Sequence, residues 1–296
     1  QHRLVTDCYP YLFQRLPDDR DRRLVVEIAY GVGRYRGRLE YALKGKANPA
    51  KTDVRVWLLL LTAVYQLLYL TRIPDYAVIN ETVEIAKRRF GARPAGFVNA
   101  VLKGIARDRE SLSFPGPEDV EAYITSSLSF PNWMGMRWIA QFGKDRAFQI
   151  MKALNFRKPM VFRKMGATGV LDQEGLFHPT PYLPDAVEAN LPVYMMRAGN
   201  CYVMNESSQL VPELLRKFEG DWVLDAASSP GGKGMILRSW SGIRNVIFND
   251  ISRDRIDRIL ENVSDLNIGI LTPTCADMSR PPFPDNSLDA VLLDAP

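Results

Sequence analysis

Residues 223–233 read VLDAASSPGGK: a short apolar run closed by Asp225, then small residues, two glycines and Lys233. A hydrophobic strand that breaks into a small-residue turn and enters a helix is the opening unit of an open α/β sheet. In such sheets ligands approach the carboxyl ends of the strands, where small residues let them reach the backbone. Two familiar phosphate loops are excluded. The segment is not G-x-G-x-x-G, and in a G-x-x-x-x-G-K-[ST] frame Ala227 replaces the first glycine and Gly234 the hydroxyl residue.

Working downstream, Trp222–Asp225, Val246–Asp250, Ile268–Leu271 and Leu288–Leu293 read as strands. A helix follows the second, with Ser252 placed as its N-cap and Ile256, Leu260 and Val263 on one face. Strands separated by helices predict a parallel, doubly wound sheet. Asp250 ends the second strand, 25 positions after Asp225, close to the offset at which a carboxylate reaches ribose hydroxyls in such folds. Asp277 follows the third strand region and Asp294 ends the fourth. One such aspartate is commonly a turn or cap residue; three at successive strand ends mark one rim as a nucleoside site.

Upstream the period changes to that of helices. Leu24, Ile28, Val32, Tyr35, Leu39 and Leu43 form one helical face, which Gly31, Gly33 and Gly37 are expected to break into pieces. Val54, Trp57, Leu58, Leu61, Tyr65 and Leu68 form a second; Ile79, Val83 and Ala86 a third, stopped at Phe90-Gly91; Phe97, Val98, Val101, Leu102 and Ile105 a fourth, with Pro94 in its first turn. Ser111–Pro117 is the expected linker. Trp133, Trp138, Ile139 and Phe142, then Ala147, Ile150, Met151 and Leu154, give two more helices, and residues 164–200 read as loops and short strands. The expected organisation is an all-helical domain over 1–113, a connecting region over 118–200 and a Rossmann-type domain over 201–296.

The chain has 296 residues, 46% hydrophobic, with a net charge of +4. That composition belongs to globular domains with real cores. The longest uncharged apolar stretch, Val56–Leu70, is shorter than the ~20 residues a spanning helix needs, so it reads as a core helix and no membrane role is expected. Cys8, Cys201 and Cys275 are too scattered for a disulfide framework or a metal site, and buried bystander is the expectation for each. They point to a reducing compartment, cytoplasmic or organellar. Cations bunch at Arg34, Arg36 and Arg38 and again at Lys87, Arg88, Arg89 and Arg93. A polyanion partner and a solvated helix face explain such bunches equally well.

The 223–233 string together with LLDAP at Leu292–Pro296 resembles the cofactor and active-site motifs of RNA 5-methylcytosine methyltransferases. Asp21–Leu43 (DRRLVVEIAYGVGRYRGRLEYAL), Tyr65–Pro74 (YQLLYLTRIP) and Phe97–Arg107 (FVNAVLKGIAR) resemble the NusB-like domain that bacterial members acting on small-subunit ribosomal RNA carry. The resemblance implies a helical NusB-like RNA-binding domain ahead of a Rossmann-type domain that binds S-adenosylmethionine (SAM). It implies that Ala227, Ser228, Ser229, Pro230, Gly231, Gly232 and Lys233 line the cofactor site. Asp250 would bind the ribose, Asp277 would lie beside the adenine, and Asp294 would stand near the reacting centre as support. The basic bunches would contact ribosomal RNA, in the small subunit or an assembly intermediate of it.

Cytosine C5 is a poor nucleophile, and the family adds a cysteine thiolate to C6 to activate it. By resemblance one cysteine follows the Asp-Ala-Pro tripeptide and the nucleophilic one lies further on. No cysteine follows Asp294 here, and Ser228 and Ser229 stand where the family has small apolar residues. The expectation is that this is part of a longer protein, because a sheet ending on its fourth strand leaves an unpaired edge. The rival expectation is a degenerate, inactive factor that binds ribosomal RNA. A third is a small-molecule methyltransferase whose helical half mediates oligomerisation.

Overall fold

The structure, a computed structural model, describes residues 11–12, 14–156, 159–165, 177–189, 201–266 and 272–295. Two compact units divide the chain, Gln1–Arg157 and Lys158–Pro296.

In the first unit, Asp18 accepts from the Arg20 N–H and starts α1 (Asp19–Arg34), with Asp19 and Asp21 in its positive first turn and Arg34 in its negative last turn. The break before α2 (Arg36–Leu43) falls at Tyr35, not at a glycine. Gly31 and Gly37 serve close approach instead: a side chain on Gly31 would overlap the Tyr65 ring, and one on Gly37 the Thr125 carbonyl. Asp53 caps α3 (Val54–Tyr69), the central helix, which buries Val56, Trp57, Leu60, Leu61, Val64, Tyr65 and Leu67. Val54 and Leu58, expected inside, are exposed. The run is apolar almost all round, so periodicity alone could not fix which stripe faces the core.

Helices α4 (Asp75–Phe90) and α5 (Ala92–Asp108) meet at Gly91, whose φ of 96° ends one and begins the other. Val78, Ile79, Ala86, Val98, Leu102 and Ile105 close the core over α3. The unit continues past Ser111–Pro117, because that stretch is packed: Phe114 lies under the Arg38 guanidinium at 4.0 Å, and Pro115 accepts from the Ser127 hydroxyl. Helical turns over residues 120–127 lead to α6 (Asn132–Phe142) and α7 (Lys144–Asn155), which share a second core of Ile124, Leu128, Ala147, Phe148 and Met151. The Tyr35 hydroxyl donates to the Asn155 carbonyl. The division between units therefore falls inside the stretch expected to connect the domains.

The second unit holds two sheets. Strands β1 (Met160–Lys164), β2 (His178–Pro179), β3 (Ala186–Ala189) and β4 (Cys201–Val203) pair antiparallel in the order β2-β3-β1-β4. Arg163 on β1 is buried and forks to Asp185 at 3.2 Å and to Glu213 at 3.0 Å, the last residue of α8 (Glu206–Glu213). Strands β5 (Gly220–Asp225), β6 (Ile243–Asp250), β7 (Thr272–Cys275) and β8 (Ala290–Leu292) pair parallel in the order β7-β6-β5-β8. Helix α9 (Gly232–Arg238) links β5 to β6, and α10 (Arg253–Leu266) links β6 to β7. Val223, Val246, Phe248 and Leu292 pack with Met235, Ile256, Ile259 and Val263 on one face, and Leu224 and Ile247 with Met278, Phe283 and Leu288 on the other. Burial on both faces accounts for the unbroken apolar runs. The expected third strand, Ile268–Leu271, lies outside the described residues; the one described follows directly, at Thr272–Cys275.

Candidate functional site

Parallel pairing puts the carboxyl ends of β5–β8 on one rim, and the acidic residues read from the sequence fall there. Asp225 pairs in register with Phe248 on β6 and Leu292 on β8, and Asp250 with Cys275 on β7. The loop 226–231 is fixed to its neighbours by its backbone. The Ala226 N–H donates to Leu292, the Ser228 N–H to Asn249 at 2.7 Å, and the Gly231 N–H back to Ser228.

The two glycines are needed where they stand. Gly231 has φ 102° and faces Ile259, and a side chain on Gly232 would meet the Tyr202 ring at 2.6 Å. Pro230 presents its carbonyl to the Asn262 amide at 2.8 Å. The Lys233 ammonium lies 2.6 Å from the Asp294 carboxylate, joining the loop after β5 to the segment after β8.

Asp250 is almost fully buried. Its Oδ1 accepts from the Ser252 N–H and lies 3.6 Å from Arg255, while Oδ2 makes no hydrogen bond among the described residues. Asp277 is exposed, and its carboxylate accepts from the Ser279 N–H, which holds its pKa below the ordinary value. Ala227 and Ser229 are half-buried, Ser228 buried and Pro230 exposed.

Two residues that sequence reasoning passed over organise this rim. Asn249 is buried, and its side chain donates to the carbonyls of Ala226 and Ala276 while accepting from the Ala276 N–H. One amide thus ties together the ends of β5, β6 and β7. Its signal was the polar pair Asn249-Asp250 at the end of an apolar strand, of which only the acid drew notice. Asp225 is the second. Both its carboxylate oxygens and the Ser228 hydroxyl are buried without a well-formed hydrogen bond. Burial pushes the Asp225 carboxyl up to about 6, against the pull of the nearby Ser228 hydroxyl, Lys233 and the Gly234 N–H.

The cysteines divide. Cys201 is buried, and burial pushes its thiol up to about 11. Cys275 is exposed, contrary to expectation, because it closes a short strand at the sheet edge. Cys8 lies outside the described residues. No group of His, Cys, Asp and Glu able to hold a metal occurs among the described residues, and none of their helices is long and apolar enough to cross a membrane.

Of the basic residues, Lys87, Arg88 and Arg89 project from the last turn of α4, Arg93 stands at the start of α5, and Arg34 ends α1; all are exposed. Arg36 is exposed and paired with Glu40 at 2.8 Å. Arg38 is a correction: its guanidinium donates to the Ser127 carbonyl, lies over Phe114 and has a buried Nε, so it serves the packing of α2 against residues 114–129. Arg36 and Arg93, from the two separate bunches, line one groove.

Comparison with known proteins accords with this geometry. Residues 3–107 match the NusB family and residues 212–296 match 16S rRNA methyltransferase RsmB/F. The chain is 31% identical over 294 residues to a probable ribosomal RNA small subunit methyltransferase B of Bacillus subtilis, covering 94% of this chain and 66% of that one. It is 30% identical over 316 residues to ribosomal RNA small subunit methyltransferase B of Salmonella dublin, covering all of this chain and 71% of that one. The chain thus spans about two thirds of the length of these curated relatives. A crystal structure of PH0851 shares the fold, with a TM-score of 0.71 at 20% identity over 95% of this chain and 67% of that one.

Proposed function

The chain belongs to the ribosomal RNA small subunit methyltransferase B family, and from that premise we propose that it binds SAM on the β5–β8 rim and contributes to methylation of cytosine C5 in small-subunit ribosomal RNA. The observation that carries the reading is the joining of the rim by Asn249 and by the Lys233–Asp294 pair. The residues present fit the cofactor. Gly231 and Gly232 let the loop backbone pack closely against Ile259 and Tyr202, and Asp250 offers a carboxylate oxygen with no hydrogen bond among the described residues. Ala227–Lys233 would hold the cofactor along the loop, Asp250 its ribose hydroxyls, and Asp277 its adenine side. SAM, when bound, supplies an electrophilic methyl group.

The chain's own contribution is orientation. Lys233 holds the Asp294 carboxylate at the rim, and Asn249 keeps the loops after β5 and β7 at fixed separation. The RNA partner would be ribosomal RNA, in the small subunit or an assembly intermediate, with the exposed cations of the first unit on its phosphates. Such a substrate places the protein where ribosomes assemble, in the cytoplasm or an organelle.

Titration of the full chain with SAM tests the assignment. Asp250→Ala removes a nearly buried charged acceptor, and we expect it to weaken SAM binding by ~1.5–3 kcal/mol; unchanged affinity overturns the assignment. SAM and RNA binding without methyl transfer, in a protein extended to the full length of these relatives, supports the inactive binding factor instead.

A further inference from the structure

A groove of about 1450 Å³ opens in the first unit, formed by α2, the 44–53 loop, the starts of α3 and α5, and the turns around 119–126. Arg36, Lys44, Lys46, Lys51 and Arg93 line it, Lys46 being paired with Asp108. Lys44, Lys51 and Arg93 have no carboxylate partner among the described residues, whereas the lining carboxylates Glu40 and Asp53 are paired with Arg36 and Arg55. Phe97 stands among these cations, on the first turns of α5, and is 37% exposed, although an aromatic ring on a core-packed helix is ordinarily covered. Asp119 and Glu121 line the groove as well, beside Thr125 and Ser126, all exposed or half-buried; Asp119 accepts from the Ala122 N–H and Glu121 from the Asn132 amide.

We propose that this groove binds a single-stranded segment of RNA, with phosphates on Lys44, Lys51 and Arg93, a base stacked on Phe97, and exocyclic amino groups toward the Asp119 and Glu121 carboxylates. The proposal deepens the RNA reading above and rests on it. Three features separate it from a merely charged face. Unpartnered cations attract phosphate without first breaking an ion pair. An exposed ring offers a base the stacking that a duplex, whose bases are already stacked, cannot use. Carboxylates repel phosphate but accept from the amino group of cytosine or adenine, so cations and carboxylates lining one groove meet different parts of a strand.

The test uses the full chain and fluorescein-labelled oligonucleotides: a short single-stranded RNA of mixed sequence, the same sequence as duplex, and homopolymers of cytidine and uridine. The single strand should bind more tightly than the duplex, and cytidine more tightly than uridine. Phe97→Leu, which keeps an apolar side chain, should weaken the single strand about tenfold with the melting temperature and SAM affinity unchanged. Joint replacement of Lys44, Lys51 and Arg93 by glutamine should flatten the salt dependence, while Arg146→Gln on α7 should not. Salt-dependent binding by the unaltered chain that both groove variants retain overturns the groove and leaves the RNA reading standing. A preference for duplex, or equal binding of the two homopolymers, overturns it likewise. Failure of the unaltered chain to bind any of the RNAs overturns the RNA reading itself.

Discussion

Asp225 is a buried carboxyl whose protonated form the fold favours. Its carboxyl is raised from 3.8 to about 6 chiefly by burial, with the Lys233 charge and the Ser228 hydroxyl opposing and the Asp294 charge adding to the rise. The native state therefore holds its proton more tightly than the unfolded chain does. That contribution is complete below pH ~4 and is lost as pH rises through about 6, so the folded protein gives up about 3 kcal/mol between those limits. Asp225→Asn removes the titration while keeping the shape. Urea unfolding at pH 4.5 and pH 7.5 should show a stability loss in the unaltered protein that the variant lacks, and the variant should be the more stable at pH 7.5. A less stable variant at pH 7.5 would mean that the ionised carboxylate is well solvated or bonded in the fold.

At the scale of elements, the same rim depends on a side chain that belongs to none of the loops it holds. Asn249→Ala removes three hydrogen bonds and strands the buried Ala226 carbonyl and the half-buried Ala276 carbonyl and N–H, which should cost ~2–4 kcal/mol of stability and weaken SAM binding together; a loss of stability with full SAM affinity would separate the two roles. Arg163 does comparable work for the antiparallel sheet, joining β1 to the Asp185 turn and to α8. Arg163→Met removes the ion pairs to Asp185 and Glu213, while Glu213 keeps its 2.8 Å pair with Arg216, so it should destabilise by ~1–3 kcal/mol, as read by the urea midpoint; near-neutral substitution would show the network to be solvated. These ties also mark what the sequence could and could not disclose. The strands around Asp225 and Asp250 were legible because burial on both faces imposes apolar runs, and the loop because small residues and glycines directly after a strand mark a turn, although the close contacts that require Gly231 and Gly232 are with Ile259 and Tyr202, far along the chain. The roles of Asn249, Arg38 and the Lys233–Asp294 pair were not, since each depends on a partner tens of residues away. The face of α3 was misread for a different reason: Val54 and Leu58 are as apolar as the residues that do face the core, and only packing chooses between them.

For the molecule as a whole, charge is the property most open to a decisive measurement. Of the seven cations expected to meet RNA, Arg38 is used internally and Arg36 is paired with Glu40, leaving Arg34, Lys87, Arg88, Arg89 and Arg93 exposed and without a carboxylate partner among the described residues. Each cation that meets a phosphate releases condensed counterions, and the logarithm of the binding constant falls with the logarithm of salt concentration by about 0.7 per phosphate on a single strand. Engagement of all five gives a slope of about −3 to −4. Changing Lys87, Arg88 and Arg89 together to glutamine should make the slope shallower by about 2 while leaving SAM affinity and the thermal midpoint in place, because these side chains cap no buried group. Fluorescence anisotropy across a salt series on the full chain reads both quantities. A slope near zero in the unaltered protein would reduce the bunches to solvated helix faces and favour a small-molecule acceptor at the rim. A steep slope that survives the triple substitution would move the phosphate contacts elsewhere on the surface.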